Sequence, residues 1–87
     1  DPDAVLDYLV DWGAEYLGTD VLLASEWTVA PVEEGGVTVV GSEFDGRNAT
    51  VKAGGGVPGR IYRLVNEVQL ESGLIDRRSI TLRVEKR

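Results

Sequence analysis

The chain has 87 residues, a formal net charge of −6 and 43% apolar residues, a composition that suits one small folded domain and argues against a disordered tail. It contains no His and no Cys, which excludes disulfides, thiolate zinc sites, cysteine nucleophiles and histidine-based triads. Its apolar runs are only a few residues long, too short to span a membrane.

The charges are divided unevenly along the chain. All nine Lys and Arg residues lie from Arg47 onward, whereas eleven of the fifteen Asp and Glu residues precede it. The acidic total disfavours nucleic-acid binding. Two explanations stay open for the division: cross-strand pairing inside one sandwich, or an acidic patch on one molecule that meets a basic patch on a neighbour.

Alternation of apolar and polar residues predicts β-strands and no long helix. The expected strands are, in chain order, 5–12, about 20–29, 37–44, 49–53, 60–71 and about 75–85. Residues 13–18 form a loop with room for one helical turn. Both Leu22 and Leu23 need cover, which indicates a bulge between them. Pro31 ends the second strand because proline cannot donate to a ladder.

Short strands separated by regular turn signals predict an all-β fold, an Ig-like antiparallel two-sheet sandwich of about six to seven strands in a single domain, residues 1–87. The approach from Gly59 to Tyr62 resembles the turn into strand F of an Ig domain, with Tyr62 as the corner tyrosine. The predicted interior consists of Tyr8, Val10, Trp12, Trp27, Val39, Val51, Tyr62, Leu64, Val68, Leu82 and Val84.

No group in the sequence is arranged for catalysis, and no metal or cofactor is expected. The glycine-rich segment 54–59 lacks the Lys-Ser/Thr ending of a phosphate loop and is expected to be a tight connection with positive φ angles. Asp1 and Asp3 lie in no calcium-loop pattern with later acids, and Asp7 and Asp11 are about 13 Å apart along a strand.

Two further groups of residues have a structural and a functional interpretation. Trp12, Tyr16 and Trp27 could form a sugar-stacking platform, but aromatic residues on strands are more often core. Asn66 lies on the apolar face of the longest strand, where a buried structural amide is the favoured interpretation.

Aliphatic residues on the outward faces of two strands indicate an assembly surface. Val5 and Leu9 point away from Tyr8, and Ile61 and Val65 point away from Tyr62. The expected interface also includes acidic and basic residues: Asp11, Asp20, Glu33, Glu34, Arg77 and Arg78. For the two arginines, a solvated strand start is an equal alternative.

Several segments of the chain together resemble small proteins of tailed bacteriophages described as fibre–tail adaptor or Ig-like virion proteins. These segments are residues 1–8, 10–12, 25–29, 62–68 with Gly73, and 78–84. The resemblance covers almost the whole chain in order. It implies a non-enzymatic structural protein of the virion, at the capsid, the head–tail junction or the fibre–tail junction. Its partners would be other virion proteins and copies of itself, without nucleic acid, membrane or cofactor. The alternative is an Ig-like adhesion or cell-surface module.

Overall fold

The computed structural model describes residues 5–13 and 19–85, and it confirms the expected all-β sandwich. Six antiparallel strands are present in these ranges: β1 Val5–Asp11, β2 Leu22–Ala30, β3 Thr38–Phe44, β4 Asn48–Gly54, β5 Ile61–Leu70 and β6 Ile75–Arg83. No helix in these ranges is long and apolar enough to cross a membrane.

The strands form two three-stranded sheets that pack face to face. The first sheet has the order β1-β4-β3 and the second has the order β2-β5-β6. The described chain therefore places β4 and β5 at the sheet centres and the other four strands at edges. The domain is elongated, with extents of 45 × 19 × 18 Å.

The predicted bulge is present at the start of β2. The register of β2 on β5 shifts between Leu22 and Ala24, so two neighbouring leucines take opposite environments. Leu22 is buried, whereas Leu23 is 53% exposed. Leu23, one of the two leucines expected to need cover, therefore faces solvent, because the bulge changes the phase before the regular ladder begins.

The core is built from both sheets and from the residues that flank them. Its buried members are Val10, Trp12, Leu22, Trp27, Val37, Ala49, Val51, Ala53, Tyr62, Leu64, Val68 and Leu70. Four residues expected inside, Tyr8, Val39, Leu82 and Val84, are only partly buried and pack against this core. All four lie on or beside the edge strands β1, β3 and β6, where no further described strand covers them.

The glycine-rich segment connects β4 to β5 with positive φ angles, as expected. Gly55 and Gly56 have φ values of +80° and +117°, a region that side chains rarely tolerate. The N–H of Gly56 donates to the carbonyl of Gly35 over 2.9 Å, and a Cβ at Gly56 would lie 2.6 Å from Val84. The segment leads directly into strand β5, which agrees with a tight connection rather than a phosphate loop.

Candidate interaction surfaces

A buried amide joins the two sheets at the centre of the sandwich. The Asn66 side chain on β5 accepts a hydrogen bond from the indole N–H of Trp12 over 2.9 Å. Its amide nitrogen donates to the hydroxyl of Ser25 over 2.9 Å and to the carbonyl of Glu26 over 3.1 Å. Asn66 is fully buried and links the end of β1 to β2. Its role is therefore structural, as the sequence favoured.

Tyr62 forms the expected corner at the start of β5. Its hydroxyl accepts the N–H of Val57 over 2.9 Å and donates to a carboxylate oxygen of Glu33 over 2.6 Å. Burial raises the pKa of Tyr62 above its usual value of 10, and the hydrogen bond to Glu33 adds to the increase. One oxygen of Glu33, a residue expected to meet a partner, is thus already bonded inside the domain, while its neighbour Glu34 is exposed.

Asp20 is fixed within the domain at the turn between β5 and β6. Its carboxylate accepts the Ser72 hydroxyl over 2.5 Å and the N–H of Val21 over 2.9 Å. The Ser72 hydrogen bond lowers the pKa of Asp20 below 3.8; burial partly offsets this effect, and backbone N–H groups add to it. Asp20 therefore orders two loops, which leaves Asp11 and Glu34 as the more accessible of the four expected carboxylates.

The two arginines at the start of β6 point to different faces. Arg77 forms an ion pair with Glu67 of β5, with 2.5 Å between nitrogen and oxygen, on the outward face. Arg78 places its guanidinium 4.6 Å from the ring centroid of the buried Trp12, a cation–π distance. Both arginines are exposed, but each already contacts its own domain.

The aliphatic residues of the expected assembly surface do not come together. Val5 and Leu9 are 54% and 58% exposed and lie on the outer face of the β1-β4-β3 sheet. Ile61 is 52% exposed, and with the half-buried Val65 it lies on the outer face of the β2-β5-β6 sheet. The two pairs therefore mark opposite faces of the sandwich rather than one surface.

A cleft opens between the sheets along the side formed by β1 and β6. It is lined by inward-pointing Leu6 and Tyr8 of β1, by Leu82 at the end of β6 and by the adjoining Val84. Leu6 shares the face of buried Val10 and yet is 54% exposed. Sequence analysis missed this cleft, because alternation identifies an inward face but not whether another strand covers it.

The acidic and basic residues lie largely on different strands of the sandwich. The edge strands β1, β2 and β3 carry acids and no Lys or Arg, whereas the fourth edge strand, β6, carries three arginines and one acid. Within the first sheet the ladder places Asp7 opposite Lys52. The ion pair between Arg77 of β6 and Glu67 of β5 joins two residues of the basic half.

The described residues offer little for ligand chemistry. Trp12 and Trp27 are buried, so their rings are not available as a sugar platform, and Tyr16 lies outside the described residues. Within residues 5–13 and 19–85 no three carboxylates come close enough to hold a metal ion. Asp1, Asp3 and the expected helical turn of the 13–18 loop fall mainly outside these ranges.

A family comparison decides what kind of protein has this architecture. The family model described as "Podophage GP4 fiber-tail adaptor protein gp77" matches residues 1–83 and so spans all six strands. The chain belongs to this family. It is a structural component of the phage virion, and among the expected positions the family indicates the fibre–tail junction. No curated protein matches the chain, and the alternative of a cell-surface adhesion module receives no support from the family match.

Proposed function

We propose that the chain is a non-enzymatic adaptor that joins tail and fibre proteins solely through protein–protein contacts. The family match carries this proposal because it covers the whole sandwich. The adaptor role would then belong to this one domain. Trp12, Trp27, Tyr62 and Asn66 are buried inside the sandwich, which leaves the outer faces and edges for recognition.

The two outer faces suit an adaptor, since such a protein must contact at least two neighbours. Val5 and Leu9 expose aliphatic surface on one face, and Ile61 with Val65 does so on the other. In the proposal one face binds a tail component and the opposite face binds a fibre component. Asp7 lies between Val5 and Leu9 on the first face, and Arg63 lies between Ile61 and Val65 on the second, so each proposed contact combines aliphatic and charged side chains.

Charged residues beside these patches would set register and association rate rather than most of the affinity. Asp11 lies beyond Leu9 on the outer face of the first sheet, and Arg77 of β6 lies on the outer face of the second sheet. Exposed Glu34 is a further acidic contact, while Asp20, Glu33 and Arg78 would contribute indirectly by holding loops and the Trp12 ring in place. Such rim pairs weaken with salt.

Fibre attachment to particles assembled without this chain tests the proposal. Adding the purified chain should restore fibres, counted by negative-stain electron microscopy. Leu9→Lys and Ile61→Lys should each remove one of the two contacts, so that one variant still binds the tail without recruiting fibres and the other binds the fibre protein without docking on the tail.

The matched control is Val32→Lys, which changes an aliphatic residue that is 87% exposed in the loop after β2. It should restore fibres like the unaltered chain. Fibres that attach normally without the chain would contradict the adaptor role. If both face variants work as well as the control, the outer faces are not the contacts.

A further inference from the structure

The open side of the sandwich combines an apolar cleft with two strand edges. Leu6, Tyr8, Leu82 and Val84 point into the cleft but are not closed off by the described residues. β1 pairs with β4 and β6 pairs with β5, and no described strand lies on the other side of either. Sheet edges present backbone N–H and C=O groups that can accept another strand.

The charges at this side distinguish the two edges. β1 carries Asp7 and Asp11 and no basic residue, whereas β6 carries Arg77, Arg78 and Arg83 against one acid. Asp7 and Arg83 both point outward, on the face opposite to the cleft-lining side chains. An occupant that brings an acidic strand to β6 and a basic strand to β1 would match both edges at once.

A second copy of this chain has that combination, and we propose that two copies dimerise through this side, with β1 of each beside β6 of the other. Both edges border the same cleft. A two-fold axis parallel to the strands therefore lets β1 and β6 of each copy pair with β6 and β1 of the other. The first sheet of each copy then continues into the second sheet of the other, and Leu6 and Leu82 of both copies close a shared core. The inference goes beyond the adaptor role, since it concerns self-association.

Charge also selects this pairing over the other two-fold arrangement. Placing β1 against β1 and β6 against β6 would bring Asp7 near Asp7 and Arg83 near Arg83, an arrangement that repels. In the proposed dimer Lys52 flanks Asp7 on the β4 side, and a partner's β6 would place arginine on its other side. Each dimer contains this contact twice.

Reciprocal charge reversal is the sharpest test, read by analytical ultracentrifugation. Asp7→Arg and Arg83→Asp should each raise the dissociation constant by roughly tenfold or more, because both contacts in the dimer become repulsive. An equal mixture of the two variants should dimerise again, since the variant β1 then meets the variant β6 while the second contact keeps its native residues. Failure of the mixture to recover overturns the β1–β6 pairing.

A matched pair of neighbouring residues tests the apolar part. Leu6 and Val5 are both 54% exposed, but Leu6 lines the cleft and Val5 points outward. Leu6→Ser should raise the dissociation constant on the order of tenfold to hundredfold, because two leucines lose their burial, while Val5→Ser should not. Equal effects of the two substitutions would overturn the role of the cleft.

Analytical ultracentrifugation of the purified chain, without any other protein, distinguishes self-association from other occupants of the cleft. A salt-sensitive dimer is expected at micromolar to millimolar concentrations. A monomer throughout this range would overturn the proposal and favour a strand from another virion protein; a larger ring would overturn the two-fold pairing. Ile61→Lys adds a cation beside Arg83, opposite the partner's acidic β1, and should not weaken the dimer even where it fails to restore fibres, so failure of the dimer and failure of the adaptor role are distinguishable.

Discussion

Trp12 donates its indole N–H to the side-chain oxygen of Asn66 across 54 residues of sequence and 2.9 Å of space. Both residues are completely buried. Trp12 directly follows β1, and Asn66 lies in the middle of β5, so this hydrogen bond connects the two sheets. Arg78 covers the Trp12 ring from β6, which joins a third strand to the same contact.

Removing the amide should therefore destabilise the whole domain. Asn66→Ala leaves the buried Trp12 N–H and the Glu26 carbonyl without this partner, and we expect the free energy of unfolding to fall by about 3 kcal/mol. Gln69→Ala, at an exposed position on the same strand, should change it by less than about 0.5 kcal/mol. Chemical denaturation measures both, and equal losses would contradict the structural role of Asn66.

The bulge at the start of β2 predicts opposite outcomes for adjacent leucines. Leu22→Ala removes a buried side chain and should lower the free energy of unfolding by about 2–4 kcal/mol. Leu23→Ala alters an exposed one and should cost less than about 0.5 kcal/mol. The reverse order, measured by thermal or urea unfolding, would show that the register shift lies elsewhere.

The connection between β4 and β5 requires glycine at position 56. Gly56→Ala combines a positive φ with a Cβ placed 2.6 Å from Val84, and we expect a loss of about 1–3 kcal/mol in the free energy of unfolding. Gly41→Ala is the control, because a Cβ there meets no atom within 4 Å. A Gly56 variant as stable as the Gly41 variant would contradict the described loop.

The Tyr62 corner predicts a stability change in alkaline solution. The pKa of Tyr62 is raised in the folded state, so the folded protein holds this proton more tightly than the unfolded chain does. Its stabilisation is present below about pH 10 and is lost as the pH rises through the folded pKa. The difference in free energy of unfolding between the unaltered chain and Tyr62→Phe should therefore shrink above pH 10. A difference that stays constant from pH 8 to 11 would contradict the raised pKa of Tyr62, which burial causes first and the hydrogen bond to Glu33 second.

Sequence reasoning succeeded where the cause is local. Alternation located all six strands, and the conflict between Leu22 and Leu23 indicated the bulge because both faces of one strand demanded cover. Hydrogen bonds between residues far apart in the sequence could not be predicted in this way. The Tyr62–Glu33 and Trp12–Asn66 hydrogen bonds depend on how the strands are arranged in the fold. Ala49 and Ala53 were missed as core because small side chains contribute little to a hydrophobic pattern.

The sequence predicts which residues of the candidate surfaces are exposed, but not where on the molecule these residues lie. Outward-pointing Val5, Leu9 and Ile61 are exposed as alternation indicates, yet only the sheet order shows that they lie on opposite faces. Similarly, the acidic and basic halves are visible in the sequence, but their arrangement as an acidic β1 and a basic β6 beside one cleft follows from the fold.

The most direct test of the adaptor role is the position of this chain in the intact virion. Electron cryomicroscopy of the tail should show the 45 Å sandwich between tail and fibre, with the Leu9 face and the Ile61 face against different proteins. Density for the chain on the capsid, or a single neighbour contacting both faces, would contradict the account.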